Sequence, residues 1–246
     1  MVYKLEKENN SIKGFLEGSK LSLPIVAGYL PLGFAAGIVC TDAGMTTFQI
    51  VLMSFLVFAG AGQYIAGGML AAGASPFSII VTTFIVNSRH ILYTSVLYPY
   101  VSKWSFFKQS LFATQITDEV FALHSSYMPK NGVKTDTAFG INITSHSAWI
   151  LGNGLGGFFS DFISDSSKYG IDFTLYALFI ALVMPRIKNK IKKPLKINLD
   201  HLFAFISGGI GSVIFAYMGF PYLGIVMGGL IGAFVGYYVL RKVKYE

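Results

Sequence analysis

The chain has 246 residues, of which 53% are apolar and 13% charged, with a mean hydropathy of +0.58 and a net charge of +7. This balance argues against a soluble domain and for an all-α, polytopic integral membrane protein, because each crossing takes roughly 20 apolar residues and little chain is left over. The basic residues lie almost wholly in termini and loops without interleaved aromatics, so the expected counter-charge is the lipid bilayer surface and no nucleic acid partner is expected; the single cysteine, Cys40, allows neither an internal disulfide nor a cysteine metal cluster.

Residues 1–20 read as a cytoplasmic N-terminal arm, amphipathic or frayed. Acids are mixed among its lysines, and no small-residue cleavage site follows the next apolar run, which is unlike a signal peptide. The first apolar segment, Leu21 to Cys40, holds Pro24 and Pro31 and predicts a kink or break near Pro31. The second, Phe48 to Ala72, is split by Ala59-Gly-Ala-Gly-Gln-Tyr64, which predicts a broken helix near Gly60–Gln63 lining a cavity or buried in protein.

The third segment, Pro76 to Tyr98, carries Asn87, Arg89 and His90. A cation at bilayer depth costs several kcal/mol unless paired or facing water, so such residues mark substrate, ion or proton routes. At 100° per residue, Asn87 and His90 share one helix face and Arg89 and Tyr93 a neighbouring one. The fourth segment, Phe107 to Leu123, holds Gln115 one helical turn from Asp118 and Glu119. The fifth, Thr137 to Phe159, presents a stripe of Asn142, His146, Trp149 and Asn153. Polar faces on three helices predict that these helices face one another.

A short sixth segment, Phe173 to Ile187, precedes the basic run 186–196; the seventh and eighth run from Leu199 to Met218 and from Tyr222 to Leu240. Eight crossings put most Lys and Arg on one side, so both termini are expected in the cytoplasm, with 21–240 a single transmembrane transport domain and 241–246 a cytoplasmic tail. Gly224, Gly228, Gly232 and Gly236 form one row for close helix packing, and Gly33 with Gly37 and Gly152 with Gly156 repeat the pattern.

Each polar residue also has a plainer role open to it. Arg89 could simply pair with Asp118 or Glu119, the histidines could be inter-helix hydrogen-bond partners, and Gln63 could mark a packing kink. No metalloprotease, hydrolase or nucleotide-binding motif occurs, so neither an enzyme nor a cofactor or metal site is expected.

Four stretches, Pro31-Leu-Gly-Phe-Ala-Ala-Gly37, Phe58-Ala-Gly-Ala-Gly-Gln-Tyr64, Asn87-Ser-Arg-His90 and Thr117-Asp-Glu-Val-Phe121, occur in the order and spacing of the AzlC/YgaZ family, which the chain resembles. The resemblance covers the first half, with the second matching in hydropathy and its glycine-rich end. It implies the large subunit of an exporter of branched-chain and related hydrophobic amino acids (Leu, Ile, Val, Met) in the bacterial inner membrane, with a small hydrophobic membrane partner resembling AzlD/YgaH. The residues suggest Gln63, Asn87, Arg89, His90, Asp118, Glu119, Asn142 and His146 as substrate-binding or proton-coupling groups. Two other readings stay open: a channel or carrier for another small polar or anionic solute, and a membrane assembly subunit whose charges specify helix pairing.

Overall fold

The computed structural model describes residues 2–163, 199–219 and 221–243. The contacts group into two compact units, Met1–Asp172 and Phe173–Glu246, each described by itself. The described residues are helical throughout and contain no strand. The expected sixth span, the basic run after it and the tail beyond residue 243 lie outside the described residues.

In the first unit, α1 (Val2–Leu21) and α2 (Leu23–Asp42) meet at Ser22 and run beside the long α9 (Thr135–Phe159). Residues 11–21 are therefore docked, not frayed: Thr144 Oγ1 donates to Ser19 Oγ at 2.8 Å. The two stretches run parallel in one register, Gly18 against Thr137, Gly140 against Phe15, Gly152 against Leu30, and Gly156 against Phe34. A Cβ added to Gly152 would stand 2.7 Å from the Leu30 carbonyl oxygen. Only hydrogen in place of a side chain lets these backbones come so close.

That contact overturns the expected break near Pro31, because α2 passes through Pro31 without interruption. A proline removes one intrahelical hydrogen bond, but a membrane helix keeps its course when neighbours hold it on both sides of the lost bond. Here Gly33 and Gly37 lie against Asn153 and Gly157 just beyond the proline, and Tyr64 donates its hydroxyl to the Leu32 carbonyl at 2.7 Å.

Three other spans are the interrupted ones. The second consists of α3 (Thr47–Leu56) and α4 (Gly60–Ala71), with Val57 and Ala59 extended between them. The third consists of α5 (Pro76–Asn87) and α6 (Arg89–Val101), joined at Ser88, whose hydroxyl donates to the Ile85 carbonyl. The fourth, expected as one helix, is α7 (Phe106–Ala113) and α8 (Asp118–Asn131), separated by 114–117. Thr117 starts α8 by accepting the Val120 N–H, and Asp118 and Glu119 in the first turn complement the positive end of the helix. At 1.5 Å per residue, α3 to α6 are each about 15–20 Å long, roughly half a hydrocarbon core.

Among the described residues, α2 is the one helix long and apolar enough to cross a bilayer by itself. The surface supports a membrane setting all the same: Phe77 and Phe84 on α5 are 76% and 71% exposed, whereas Gln63, Asn142 and Asn153 are fully buried. Apolar outside and polar inside is the arrangement lipid selects.

In the second unit, α10 (Leu199–Tyr217) and α11 (Pro221–Val243) form a hairpin. The glycine row of α11 receives α10: a Cβ at Gly224 would stand 2.6 Å from the Ser212 carbonyl oxygen, and one at Gly232 2.6 Å from that of Ala204. The row thus serves packing within the chain.

Overpacking such a contact costs on the order of 1–3 kcal/mol. Gly156→Val, whose side chain would meet the Phe34 backbone, should lower the thermal midpoint in detergent by several degrees, while Gly68→Ala, with nothing within 4 Å of its Cβ position, should leave it unchanged. Equal midpoints for the two variants would contradict the α2–α9 packing described here.

Candidate functional site

The three breaks meet two polar networks. The first centres on Gln63, in the first turn of α4. Its amide nitrogen donates to Ser54 Oγ at 2.8 Å and to Asn153 Oδ1 at 3.1 Å, and its oxygen accepts the Trp149 indole N–H at 2.9 Å. Each of these bonds contributes about 1 kcal/mol net, and losing one would strand a buried polar atom. Beside it, His146 Nε2 lies 3.0 Å from the Ser54 carbonyl oxygen, and its ring stacks on Phe58 at 4.3 Å. A carbonyl oxygen only accepts, so this nitrogen carries the proton and caps the C-terminal end of α3. Gln63 and His146 thus hold the helix break in shape.

The second network surrounds the start of α8. Arg89 Nη2 lies 2.9 Å from Asp118 Oδ2, and Tyr93 donates its hydroxyl to Asp118 Oδ1. Next along the chain, Glu119 accepts the Tyr29 hydroxyl on Oε2 at 2.6 Å, and the Tyr29 oxygen is also 2.6 Å from Thr117 Oγ1. The proton count fixes the direction: Thr117 O–H donates to Tyr29, and Tyr29 O–H donates to the carboxylate.

The networks join into a ring of contacts. The Tyr29 ring packs edge-on against Trp149 and Phe58, at centroid distances of 5.4 and 5.8 Å. Trp149 Cη2 lies 3.2 Å from the Cβ position of Gly60, and Asn87 Nδ2 2.7 Å from that of Gly62. From Asn87 the chain passes to Arg89, from Arg89 to Asp118 and Glu119, and from Glu119 back to Tyr29. Both signs of charge and an aromatic wall therefore border one region. Several polar atoms along it are buried without a protein partner: Asn87 Oδ1, Arg89 Nε and His90 Nε2. The Ala59 side chain offers no acceptor to the first N–H groups of α4, which leaves them open to an acceptor from elsewhere.

The suggested residues thus separate by place. Asn87, Arg89, Asp118 and Glu119 border the ring, His90 stacks on Tyr93 beside it at 5.8 Å, and Gln63 and His146 belong to the clamp behind it. Asn142 lies apart from the rest of its stripe, with Oδ1 2.7 Å from His124 Nε2. Gln115 does not share a helix with Asp118 and Glu119, because the chain turns between them. The sequence reading passed over His124, which is fully buried although it follows the expected end of the fourth span, and Tyr29, which nothing in an apolar run distinguishes from a packing aromatic.

The architecture is that of a helical membrane protein in which pairs of short helices bring unlike charges together. A sequence model of the family described as AzlC protein matches residues 24–163, a range that contains every residue of the ring. An uncharacterized membrane protein of Helicobacter pylori (strain J99) is 31% identical over 214 residues, covering 86% of this chain and 89% of that protein. The inner membrane protein YgaZ of Escherichia coli is 32% identical over 182 residues, 72% and 74% of the two chains. The branched-chain amino acid transport protein AzlC of Bacillus subtilis is 29% identical over 180 residues, 72% and 70%. No solved structure matches. The chain belongs to the AzlC family.

The Arg89–Asp118 pair is partly enclosed, with side-chain exposures of 24% and 16%. Removing one member leaves an uncompensated charge, so Arg89→Gln and Asp118→Asn should each lower the thermal midpoint and the double variant should recover part of the loss. A double-mutant cycle is expected to give a coupling on the order of 1–3 kcal/mol; strictly additive losses would mean that the two side chains do not interact.

Proposed function

We propose that the chain is the large subunit of a secondary transporter that exports branched-chain and related hydrophobic amino acids (Leu, Ile, Val, Met) across the bacterial inner membrane. Export is coupled to protons, both termini face the cytoplasm, and the partner is a small hydrophobic membrane subunit resembling AzlD/YgaH. The observation that carries this reading is the juxtaposition, around one ring, of Arg89, Glu119 and the uncapped start of α4 with the aromatic faces of Tyr29, Phe58 and Trp149. A hydrophobic amino acid needs all three: donors for its carboxylate, an acceptor for its ammonium group and an apolar wall for its side chain. Arg89 Nε and the first N–H groups of α4 take the carboxylate, and Glu119 takes the ammonium group. The Bacillus subtilis relative is named as a branched-chain amino acid transport protein, which supports the Leu, Ile and Val part of this reading.

The channel reading draws less support. Carbonyl groups freed at the break would be needed to coordinate an ion, yet Ser54 O faces His146, Val57 O accepts the Ala59 N–H at 3.0 Å and Ala59 O accepts the Gln63 N–H at 2.9 Å. An assembly role accounts for the Arg89–Asp118 pair; the feature that favours a substrate is Glu119, which accepts from Tyr29 on α2 beside the rings of Phe58 and Trp149.

In proteoliposomes holding the chain with its small partner, trapped unlabelled leucine should drive counterflow of labelled leucine. Arg89→Gln should cut the initial rate by about tenfold or more, since a neutral amide cannot match a guanidinium for a carboxylate. Absence of counterflow for leucine, isoleucine, valine and methionine alike would overturn the transport reading, and an ohmic current in its place would favour a channel.

A further inference from the structure

Asp118 and Glu119 are neighbours in sequence, and the structure gives them different surroundings. Both carboxylate oxygens of Asp118 are taken, Oδ2 by Arg89 Nη2 and Oδ1 by Tyr93. Tyr93 is itself packed against rings, stacked on Phe121 at 4.6 Å and on His90 at 5.8 Å. The guanidinium and the packed phenol both stabilise the charged carboxylate, so a proton on Asp118 would have to give up these interactions.

Glu119 differs in three respects. Its longer side chain turns to α2, where Tyr29 donates to Oε2. Oε1 receives no hydrogen bond from another residue among the described residues. The donor on Oε2 is a hydroxyl in a relay, Thr117 to Tyr29 to Glu119, whose protons can reorient when the carboxylate changes state. The charged groups that bear on Glu119 are Asp118 and Arg89. Tyr29 is the ionisable group facing it from α2, and Trp149 and Phe58, which pack on that phenol, bring no charge.

We infer that Glu119 is the exchange acid of the site, holding a proton or the substrate's ammonium group in turn, while Asp118 is a fixed counter-charge for Arg89 and Tyr29 positions the Glu119 carboxyl. This rests on the transport reading given above. The step is balanced: the protonated Glu119 carboxyl releases its proton to water as the ammonium group arrives, and the carboxylate–ammonium pair replaces the O–H bond. When the substrate leaves, one proton returns. Exchange by competition at one carboxylate couples substrate movement to proton movement in the opposite direction without a separate proton site.

The test uses the chain with its small partner in detergent and weak buffer, and reads proton release with a pH-sensitive dye when leucine is added, alongside binding of labelled leucine. The wild-type complex should release up to about one proton per leucine bound. Glu119→Gln keeps an acceptor for the ammonium group but carries no proton to lose, so it should bind leucine more weakly and release none. Neutralising the other acid alone would strand Arg89, so the paired variant Arg89→Gln/Asp118→Asn is the informative one; whatever leucine it binds should still release protons in the wild-type ratio. Tyr29→Phe keeps the ring against Trp149 and Phe58 and removes the hydroxyl; its release per bound leucine should move to a different pH range, which a packing role alone would not cause. Proton release that persists in Glu119→Gln, or that disappears only in the paired variant, would overturn the assignment. A wild-type complex that binds leucine without releasing protons would overturn it while leaving transport standing, and one that binds no hydrophobic amino acid at all would overturn the transport reading itself.

Discussion

The ion pair between Arg89 and Asp118 is the constraint on which the rest of the first unit turns. A guanidinium on a span of half-helices needs a partner within reach and further acceptors nearby, because the surrounding lipid supplies neither. Asp118 meets that need from the first turn of another half-helix, where the Thr117 cap and the positive end of α8 already favour a carboxylate. The pairing therefore depends on the interruption before Asp118. Had the fourth span run as one helix through 114–117, it would present neither an N-terminal turn to hold the acids nor Thr117 free to reach Tyr29. The breaks and the charges explain each other.

The opposite side of the ring rests on helix contact through glycine. α1, α2 and α9 lie parallel with backbones touching at Gly18, Gly140, Gly152 and Gly156, and this paired rail carries Tyr29 and Trp149. Close approach brings the Tyr29 phenol within reach of Glu119 and the Trp149 indole within reach of Gln63. A wider separation between the helices would break the ring even with every polar residue intact. Small residues far from the charges thus set the geometry of the charges.

Much of this was legible in the sequence, and the failures have physical causes. Long apolar runs marked the spans, and Ala59-Gly-Ala-Gly marked the one break that local conformation dictates. Pro31 misled because the cost of a proline depends on its neighbours, and here α9 and Tyr64 hold the helix through it. The breaks at Ser88 and at 114–117 went unread for the converse reason: a hydropathy window averages over them. Yet Thr117-Asp-Glu is a recognisable helix start, a capping hydroxyl followed by two acids. Periodicity correctly put Asn142, His146, Trp149 and Asn153 on one face of α9. It could not show that a helix of 25 residues meets different neighbours along its length, so that Asn142 pairs with His124 while the others gather at Gln63. Tyr29 carries no mark in sequence at all, because its role comes entirely from what folds against it.

The central claim is that a hydrophobic amino acid sits inside the ring formed by Gly60, Asn87, Arg89, Glu119, Tyr29 and Trp149. The most direct measurement is a cryo-EM structure of the complex with its small subunit in saturating leucine. The account predicts density for the amino acid with its carboxylate toward Arg89 Nε and the start of α4, its ammonium group on Glu119, and the Arg89–Asp118 pair intact. Density for leucine elsewhere, such as in the polar cleft of about 490 Å³ between Lys13, Glu17, Lys134 and Asp136, with the ring closed on itself and empty, would contradict it.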